Sequence, residues 1–433
     1  MEPSDSTLPV SIRVNPLKQC DLSYLPTDCA VPWSPCGLYL RERPSFTLDP
    51  LFHAGAYYVQ DASAMFVGWM FRQVLSLLSG DGTQASAGGK AGLKVLDLCA
   101  APGGKTTDAA ASLREALGSE FLLVSNEVIR SRAAVLADNV ALWGDPNVVV
   151  SSSDPAEFGR LRGMFDIIIA DVPCSGEGMF RKSENAVRMW SEDNVALCAS
   201  RQRRIVADVW DALAPGGVLV YSTCTFNDAE NDGNVSWIAD EFGGEVLRFD
   251  MPFEGPRATR CGFLLHPDSV RGEGQYCAAI RKGGARADRT DIRRAGNRES
   301  DDTHRQDSVS MFDRNGEIYA LPDYVASAMQ QIGRKINVLS AGVHAFTVKG
   351  KDRIPCADLC LSALLDPDDF PAVELSRLEA LHFLHKDSLN LHDAPAGYVV
   401  VTYAGLPLGF VKNLGNRANN LHPASRRILM NIE

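Results

Sequence analysis

No apolar run in this 433-residue chain reaches the ~18–20 residues a bilayer-crossing helix needs, so a membrane-spanning class is not expected. The opening residues, Met1-Glu2-Pro3-Ser4-Asp5, have neither the basic start nor the apolar core of a secretory leader. The 11 cysteines include no Cys-x-x-Cys unit, and Cys356 and Cys360 stand apart at a helix-like spacing, so no metal site is expected. An odd number of thiols, several of them in apolar stretches such as those around Cys198 and Cys277, fits free cysteines in a reducing, cytoplasmic setting. Excess positive charge is also missing: 43 Lys and Arg against 54 Asp and Glu give a net charge of -11. That argues against a general polyanion binder. It leaves room for local basic patches, such as Arg201-Gln202-Arg203-Arg204 and Arg426-Arg427. There are no internal repeats.

What is present is ordinary for a globular enzyme: 45% hydrophobic and 22% charged residues, in a chain long enough for two or three domains. Val10, Ile12 and Val14 alternate with Ser11, Arg13 and Asn15, which predicts a strand, and residues 65–78 read as a helix. Residues 79–92, rich in Gly, Ser, Ala and Asp, read as a loop. From residue 93 the pattern changes. Short apolar runs at 95–98, 121–124, 148–150, 165–170 and 218–221 are separated mostly by helical segments such as 131–143 and 194–213. Strands alternating with helices predict a parallel sheet covered on both faces, and residues 261–265 and 275–280 add an antiparallel hairpin. Residues 283–308 lose apolar periodicity and read as a solvated linker. A small α+β unit follows, with a helix at 323–332 and strands near 336–339 and 398–403. The expected division is therefore 1–85, 86–282, a linker at 283–308, and 309–433.

Three features carry chemistry. The first is the turn Leu96-Asp97-Leu98-Cys99-Ala100-Ala101-Pro102-Gly103-Gly104-Lys105, an apolar strand running into small residues and then a helix start. Such a turn aims backbone N–H groups at a ligand and lets it approach closely. It is neither G-x-G-x-x-G nor a P-loop. The second is a series of acids at the ends of successive strands: Glu127, placed for ribose hydroxyls, Asp154, placed for an adenine amino group, and Asp171. Each acid alone is an ordinary solvated loop residue, but three in series define one crevice. The third is a pair of thiols, Cys174 in Asp171-Val172-Pro173-Cys174 and Cys224 in Tyr221-Ser222-Thr223-Cys224. Either alone reads as a structural cysteine. Two of them in polar turns at the ligand-binding edge point to nucleophilic catalysis.

Leu96–Thr106, Asp171–Cys174, Ser222–Cys224 and the following Asn227…Glu230-Asn231 resemble the NOP/Sun family of RNA 5-methylcytosine methyltransferases, across roughly residues 10–282. The stretch from Gly405 to Asn420 is similar to the end of the bacterial RsmF subgroup, which methylates small-subunit ribosomal RNA. This resemblance implies a Rossmann-like methyltransferase sheet with an N-terminal α+β subdomain and a C-terminal PUA-like α+β domain, the outer two holding RNA. It implies S-adenosylmethionine held by Cys99, Ala100, Ala101, Pro102, Gly103, Gly104, Lys105, Glu127, Asp154 and Asp171. Cys224 would be the nucleophile, with Cys174 assisting product release and Asp171 and Lys105 supporting the base. The expected partner is small-subunit ribosomal RNA or the assembled small subunit, with no membrane and no metal. Lys412, Arg417, Asn419, Asn420 and Arg426-Arg427 are candidate RNA contacts. The runner-up readings are a transfer RNA cytosine methyltransferase and a non-catalytic ribosome-assembly factor.

Overall fold

The computed structural model describes residues 9–79, 92–285 and 308–432; most of the expected loop at 79–92 and linker at 283–308 lies outside these. Five parallel strands form the centre: β5 (Leu93–Asp97), β6 (Phe121–Asn126), β7 (Val148–Ser151), β8 (Phe165–Asp171) and β9 (Leu213–Thr223), in the order β9-β8-β5-β6-β7. Their near-continuous burial is what a sheet covered on both faces requires. Val95, Ile167, Ile169, Val218 and Val220 enter one core with helices Phe66–Ser79 and Gly104–Leu117. Leu96, Ile168, Leu219 and Tyr221 enter the other, with helix Glu192–Val209. Beyond β9 the sheet continues antiparallel through β13 (Gln275–Arg281), β12 (Phe263–Leu265) and β11 (Arg257–Ala258), with β10 (Glu245–Val246) also on β13.

The other edge departs from the sequence reading. β16 (Val338–Ala341), expected within the C-terminal unit, pairs antiparallel with β7. Helix Asp323–Ile332 packs Val325, Ala328 and Ile332 into the same core as Leu96 and Val124. Part of the segment after the expected linker is thus an edge of the central sheet. An open parallel sheet leaves β7 with unpaired N–H and C=O groups, and β16 satisfies them.

The N-terminal sheet is antiparallel, in the order β2 (Thr27–Ala30), β3 (Gly37–Leu40), β1 (Val10–Val14), β4 (Tyr57–Val59). Alternation in β1 predicts one solvated face, yet Ser11 and Arg13 are buried. Arg13 reaches helix Gly104–Leu117, donating to Gly104 O at 3.1 Å and to Thr107 Oγ1, and it lies over the Trp143 ring at 4.6 Å. Burial lowers its pKa, with Asp108 opposing that shift. The polar face of β1 is therefore an internal contact with the helix that begins at the glycine turn.

Two further four-stranded sheets complete the chain. One is β14 (Val309–Arg314), β15 (Glu317–Pro322), β17 (Val343–Lys349) and β18 (Asp352–Pro355); the other is β19 (Ala372–Glu374), β20 (Gly397–Tyr403), β21 (Leu406–Asn413) and β22 (Ala418–Asn420). The last sheet shares a core with the N-terminal one: Ile12, Leu40 and Leu51 pack with Phe383, Val399 and Val411. Among the described residues no helix is long and apolar enough to cross a membrane.

Ile332 is fully buried against the central sheet. Ile332→Ala is expected to destabilise the protein by about 2–5 kcal/mol, as large-to-small core changes do. Urea denaturation followed by circular dichroism reads this as a lower midpoint. An unchanged midpoint would mean that helix Asp323–Ile332 is not part of the central core.

Candidate active site

The parallel register of β8 on β9 places Asp171 opposite Ser222. The chain leaves both strands at the same edge, so Cys174, three residues past Asp171, meets Cys224, two past Ser222. Their sulfurs lie 3.0 Å apart, and both cysteines are free. Neighbouring backbone fixes this encounter. Val172 N donates to Ser222 O at 3.0 Å, and Gly178 N donates to Cys224 O at 2.9 Å.

Asp171 sits beside the thiols and is held from three directions. Lys105 Nζ donates to its Oδ2 at 2.8 Å, while Ser222 Oγ and Gln275 Nε2 donate to its Oδ1 at 2.7 and 3.0 Å. Burial works against the Lys105 ammonium, but Asp171 and Cys224 more than offset it and raise its pKa. The two thiols shift in opposite directions. A hydrogen bond from Cys174 pulls the Cys224 pKa below its ordinary value, with Lys105 helping and burial and Asp171 opposing. The same bond, with burial, pushes Cys174 well above its own. One proton shared between two sulfurs thus favours ionisation at Cys224 over Cys174.

Both loops rest on a buried polar cluster. The Glu230 carboxylate, fully enclosed, accepts from Ser175 N at 3.0 Å, Gln202 Nε2 at 2.7 Å and Asn227 Nδ2 at 2.8 Å. Gln202 also donates to Pro173 O at 3.0 Å. The Glu177 carboxylate accepts from Phe226 N at 2.6 Å and Asn227 N at 3.1 Å, capping the turn after Cys224. A buried carboxyl group is tolerable only when its polar atoms are bonded in this way.

The glycine turn lies between β5 and helix Gly104–Leu117. Gly103, at φ +113, allows the helix to begin in a left-handed conformation that a side chain would resist. Asn126 ties the turn to the next loops, donating to Leu98 O at 3.2 Å and Ser153 O at 3.0 Å. Arg132 donates to Ala101 O at 3.0 Å and Asn139 to Pro102 O at 2.8 Å. Burial pushes the Cys99 thiol up, reinforced by Asp97, Asp171 and Glu127, so it stays protonated and unreactive. Asp97 was not singled out from sequence. Burial raises its pKa to about 7; Thr106 Oγ1 donates to its Oδ2 at 2.7 Å, and its Oδ1 is buried with no partner.

The residues expected to act are distributed as follows. Lys105, Asp171, Cys174 and Cys224 form one bonded group. Glu127 is buried at the end of β6, accepting from Ile129 N at 3.0 Å and paired with Arg132 at 3.2 Å. Asp154 is exposed past β7 and caps helix Pro155–Gly159 by accepting from Ala156 N at 3.0 Å. Several of the proposed C-terminal RNA contacts are already engaged. Arg426 is held by Asp138 and Asp358, Lys412 by Asp352 at 3.2 Å, and the Asn420 amide donates to Phe383 O and Asp387 O. Arg417, Asn419 and Arg427 remain exposed. Among the described residues no group of three or more His, Cys, Asp or Glu is placed to hold a metal.

Comparison with known proteins agrees with this arrangement. Residues 89–280 match the family model described as 16S rRNA methyltransferase RsmB/F. Residues 1–62 match the N-terminal domain of 16S rRNA methyltransferase RsmF, and residues 370–428 the RsmF PUA domain. The chain is 30% identical to ribosomal RNA small subunit methyltransferase F of Escherichia coli O81 strain ED1a, an alignment covering 95% of this chain and 89% of that one. The protein of the same name in Escherichia coli O17:K52:H18 strain UMN026 is 29% identical with the same coverage. A solved methyltransferase homologue from Pyrococcus horikoshii superposes with a TM-score of 0.50 at 28% identity, covering 64% of this chain and 87% of that one. With its core, its N-terminal sheet and its final sheet each matched to one family, this chain belongs to the RsmF branch of the RsmB/F methyltransferases.

Proposed function

We propose that the protein transfers a methyl group from S-adenosylmethionine to carbon 5 of a cytosine in small-subunit ribosomal RNA, through a covalent bond between Cys224 and the base. The observation that carries this reading is the 3.0 Å pair of Cys224 and Cys174 beside the Lys105–Asp171 ion pair. The relatives' names supply the RNA class.

The residues of the crevice suit the donor. The unpartnered Oδ1 of Asp97 is suited to an ammonium group, and the turn of small residues from Cys99 to Gly104, with Pro102 exposed and Cys99 and Gly104 half-buried, leads into a helix start. Glu127, Asp154 and Asp171 complete the set that would hold it. When bound, S-adenosylmethionine supplies an electrophilic methyl group on a sulfonium.

The chain's own residues do the rest. Carbon 5 of cytosine is a weak nucleophile. The Cys224 thiolate adds to carbon 6 and makes the ring electron-rich at carbon 5. Addition puts negative charge on the ring-nitrogen side; Asp171, oriented by Lys105, Ser222 and Gln275, would pass a proton taken from solvent to that nitrogen and neutralise the charge, with the Lys105 ammonium beside it. After methyl transfer the proton on carbon 5 must leave; with Cys224 bonded to carbon, Cys174 gives its own proton to solvent and, as a thiolate, takes the carbon-5 proton directly or through a water. The carbon–sulfur bond then breaks and Cys224 departs. The target base has to leave its stack to reach both thiols. We assign RNA holding to residues 1–85 and to the part of 309–433 outside helix Asp323–Ile332 and β16, which join the catalytic unit 86–282.

Three outcomes are expected. Cys224→Ala abolishes methyl transfer but keeps cofactor affinity, measured by calorimetry with S-adenosylhomocysteine. Cys174→Ala accumulates a protein–RNA adduct that survives denaturing electrophoresis; normal turnover without adduct would contradict the two-thiol scheme. Because Cys224 titrates below the ordinary thiol range and Cys174 above it, iodoacetamide labels Cys224 first as pH rises. Peptide mapping after brief labelling at near-neutral pH reads that order, and preferential labelling of Cys174 would reverse the assignment of nucleophile and donor.

A further inference from the structure

A groove of about 630 Å³ lies beside the thiol loops, and it is unusual in charge. Four parts of the chain build it: Pro9 and Val10 at the start of β1, residues 40–43 at the end of β3, the turn at 181–182, and the loop from β12 to β13. Its charged lining is five cations, Arg41, Arg43, Arg181, Lys182 and Arg271, against one carboxylate, Glu42. All six are exposed. The chain as a whole carries -11, so this concentration of positive charge is local.

Two of the cations are anchored. Lys182 pairs with Glu273, and Arg271 pairs with Asp28 at 2.6 Å while lying over the Tyr39 ring at 4.4 Å. Arg41, Arg43 and Arg181 have no carboxylate partner among the described residues. Unpaired like charges lining one concave wall repel each other, and their field is focused by the low-dielectric surface around them. Glu42 and the Phe46 ring, over which Arg43 lies at 5.3 Å, offset part of that cost, and a polyanion would offset more. The groove also joins the catalytic centre. The turn that carries Arg181 and Lys182 is the one whose Gly178 N donates to Cys224 O at 2.9 Å, and whose Glu177 caps the residues after Cys224.

We propose that this groove binds the phosphate backbone of the single-stranded RNA next to the target cytosine. The inference rests on the RNA methyltransferase reading and names where that substrate runs. A base delivered to Cys224 must leave its stack, so the strand beside it is unpaired, and a groove suits one strand better than a duplex. Phosphate contacts position without reading sequence, so the groove sets where the strand lies and leaves the choice of cytosine to other contacts.

The test uses the full-length protein and a short fluorescein-labelled single-stranded RNA containing one cytosine. Binding is measured by anisotropy across a salt series for wild type, the triple variant R41Q/R43Q/R181Q, and a control, R334Q/K335Q, that removes exposed charge elsewhere. Each lost phosphate contact should flatten the dependence of log affinity on log salt by about 0.7, so the triple variant should lose roughly 2 in slope. It should bind on the order of tens-fold more weakly at low salt, while the control stays near wild type. Affinity for S-adenosylhomocysteine, measured alongside, reports that the triple variant is folded and should match wild type. If wild type binds and methylates RNA while the triple variant keeps the wild-type slope, the groove proposal alone is overturned. Wild type that binds no RNA overturns the groove and the RNA reading together. Poly-glutamate that saturates the groove without displacing RNA would reassign it to an acidic protein partner and overturn the proposal.

Discussion

Parallel pairing of β8 with β9 is the constraint on which the site depends. With Asp171 opposite Ser222, the two chain exits stand side by side, and sulfurs 50 positions apart in sequence come within 3.0 Å. A shift of one residue would turn Asp171 to the other face of the sheet and separate the thiols. The packing on both faces holds that register, because alternate side chains of β8 and β9 enter different cores. The glycine turn, the acids and the loops at this edge all inherit their positions from the same sheet.

Electrostatics then separates two chemically identical side chains. A Cys174 hydrogen bond and the Lys105 ammonium lower the Cys224 pKa, while the same bond and burial raise that of Cys174. Asp171 links the two halves of the crevice. It is bonded to Lys105 at the glycine turn and to Ser222 and Gln275 beside the thiol loops. Glu230 and Glu177 act beneath this layer. They fix the loops that carry the sulfurs through hydrogen bonds, so the geometry of the pair is set before any substrate arrives.

Much of this was legible in the sequence because it is local. The alternation of short apolar runs and helical segments gave the parallel sheet, and helix Asp323–Ile332 and the hairpin of β12 and β13 followed from periodicity. The turn at 96–105 and the two thiols were readable from residue types at strand ends. What was not legible depends on contacts distant in sequence. Arg13 reads as the solvated face of a strand, yet it is buried against a helix some 90 positions on, and nothing local signals that. The pairing of β16 with β7 is likewise a sheet-edge contact that periodicity cannot assign. Asp97 and Glu230 look like ordinary acids in sequence, and only enclosure gives them their character. Arg426 reads as a phosphate contact but is held by Asp138 and Asp358.

The central claim is that Cys224, not Cys174, attacks the base. It is tested most directly by presenting the wild-type protein and S-adenosylmethionine with small-subunit RNA in which cytidine is replaced by 5-fluorocytidine. Fluorine at carbon 5 cannot leave as a proton, so the covalent complex is trapped after methyl transfer. Digestion and mass spectrometry then locate the modified cysteine. The account predicts a methylated fluorocytidine attached to the peptide containing Cys224. Attachment through Cys174, or methyl transfer without any trapped adduct, would contradict it.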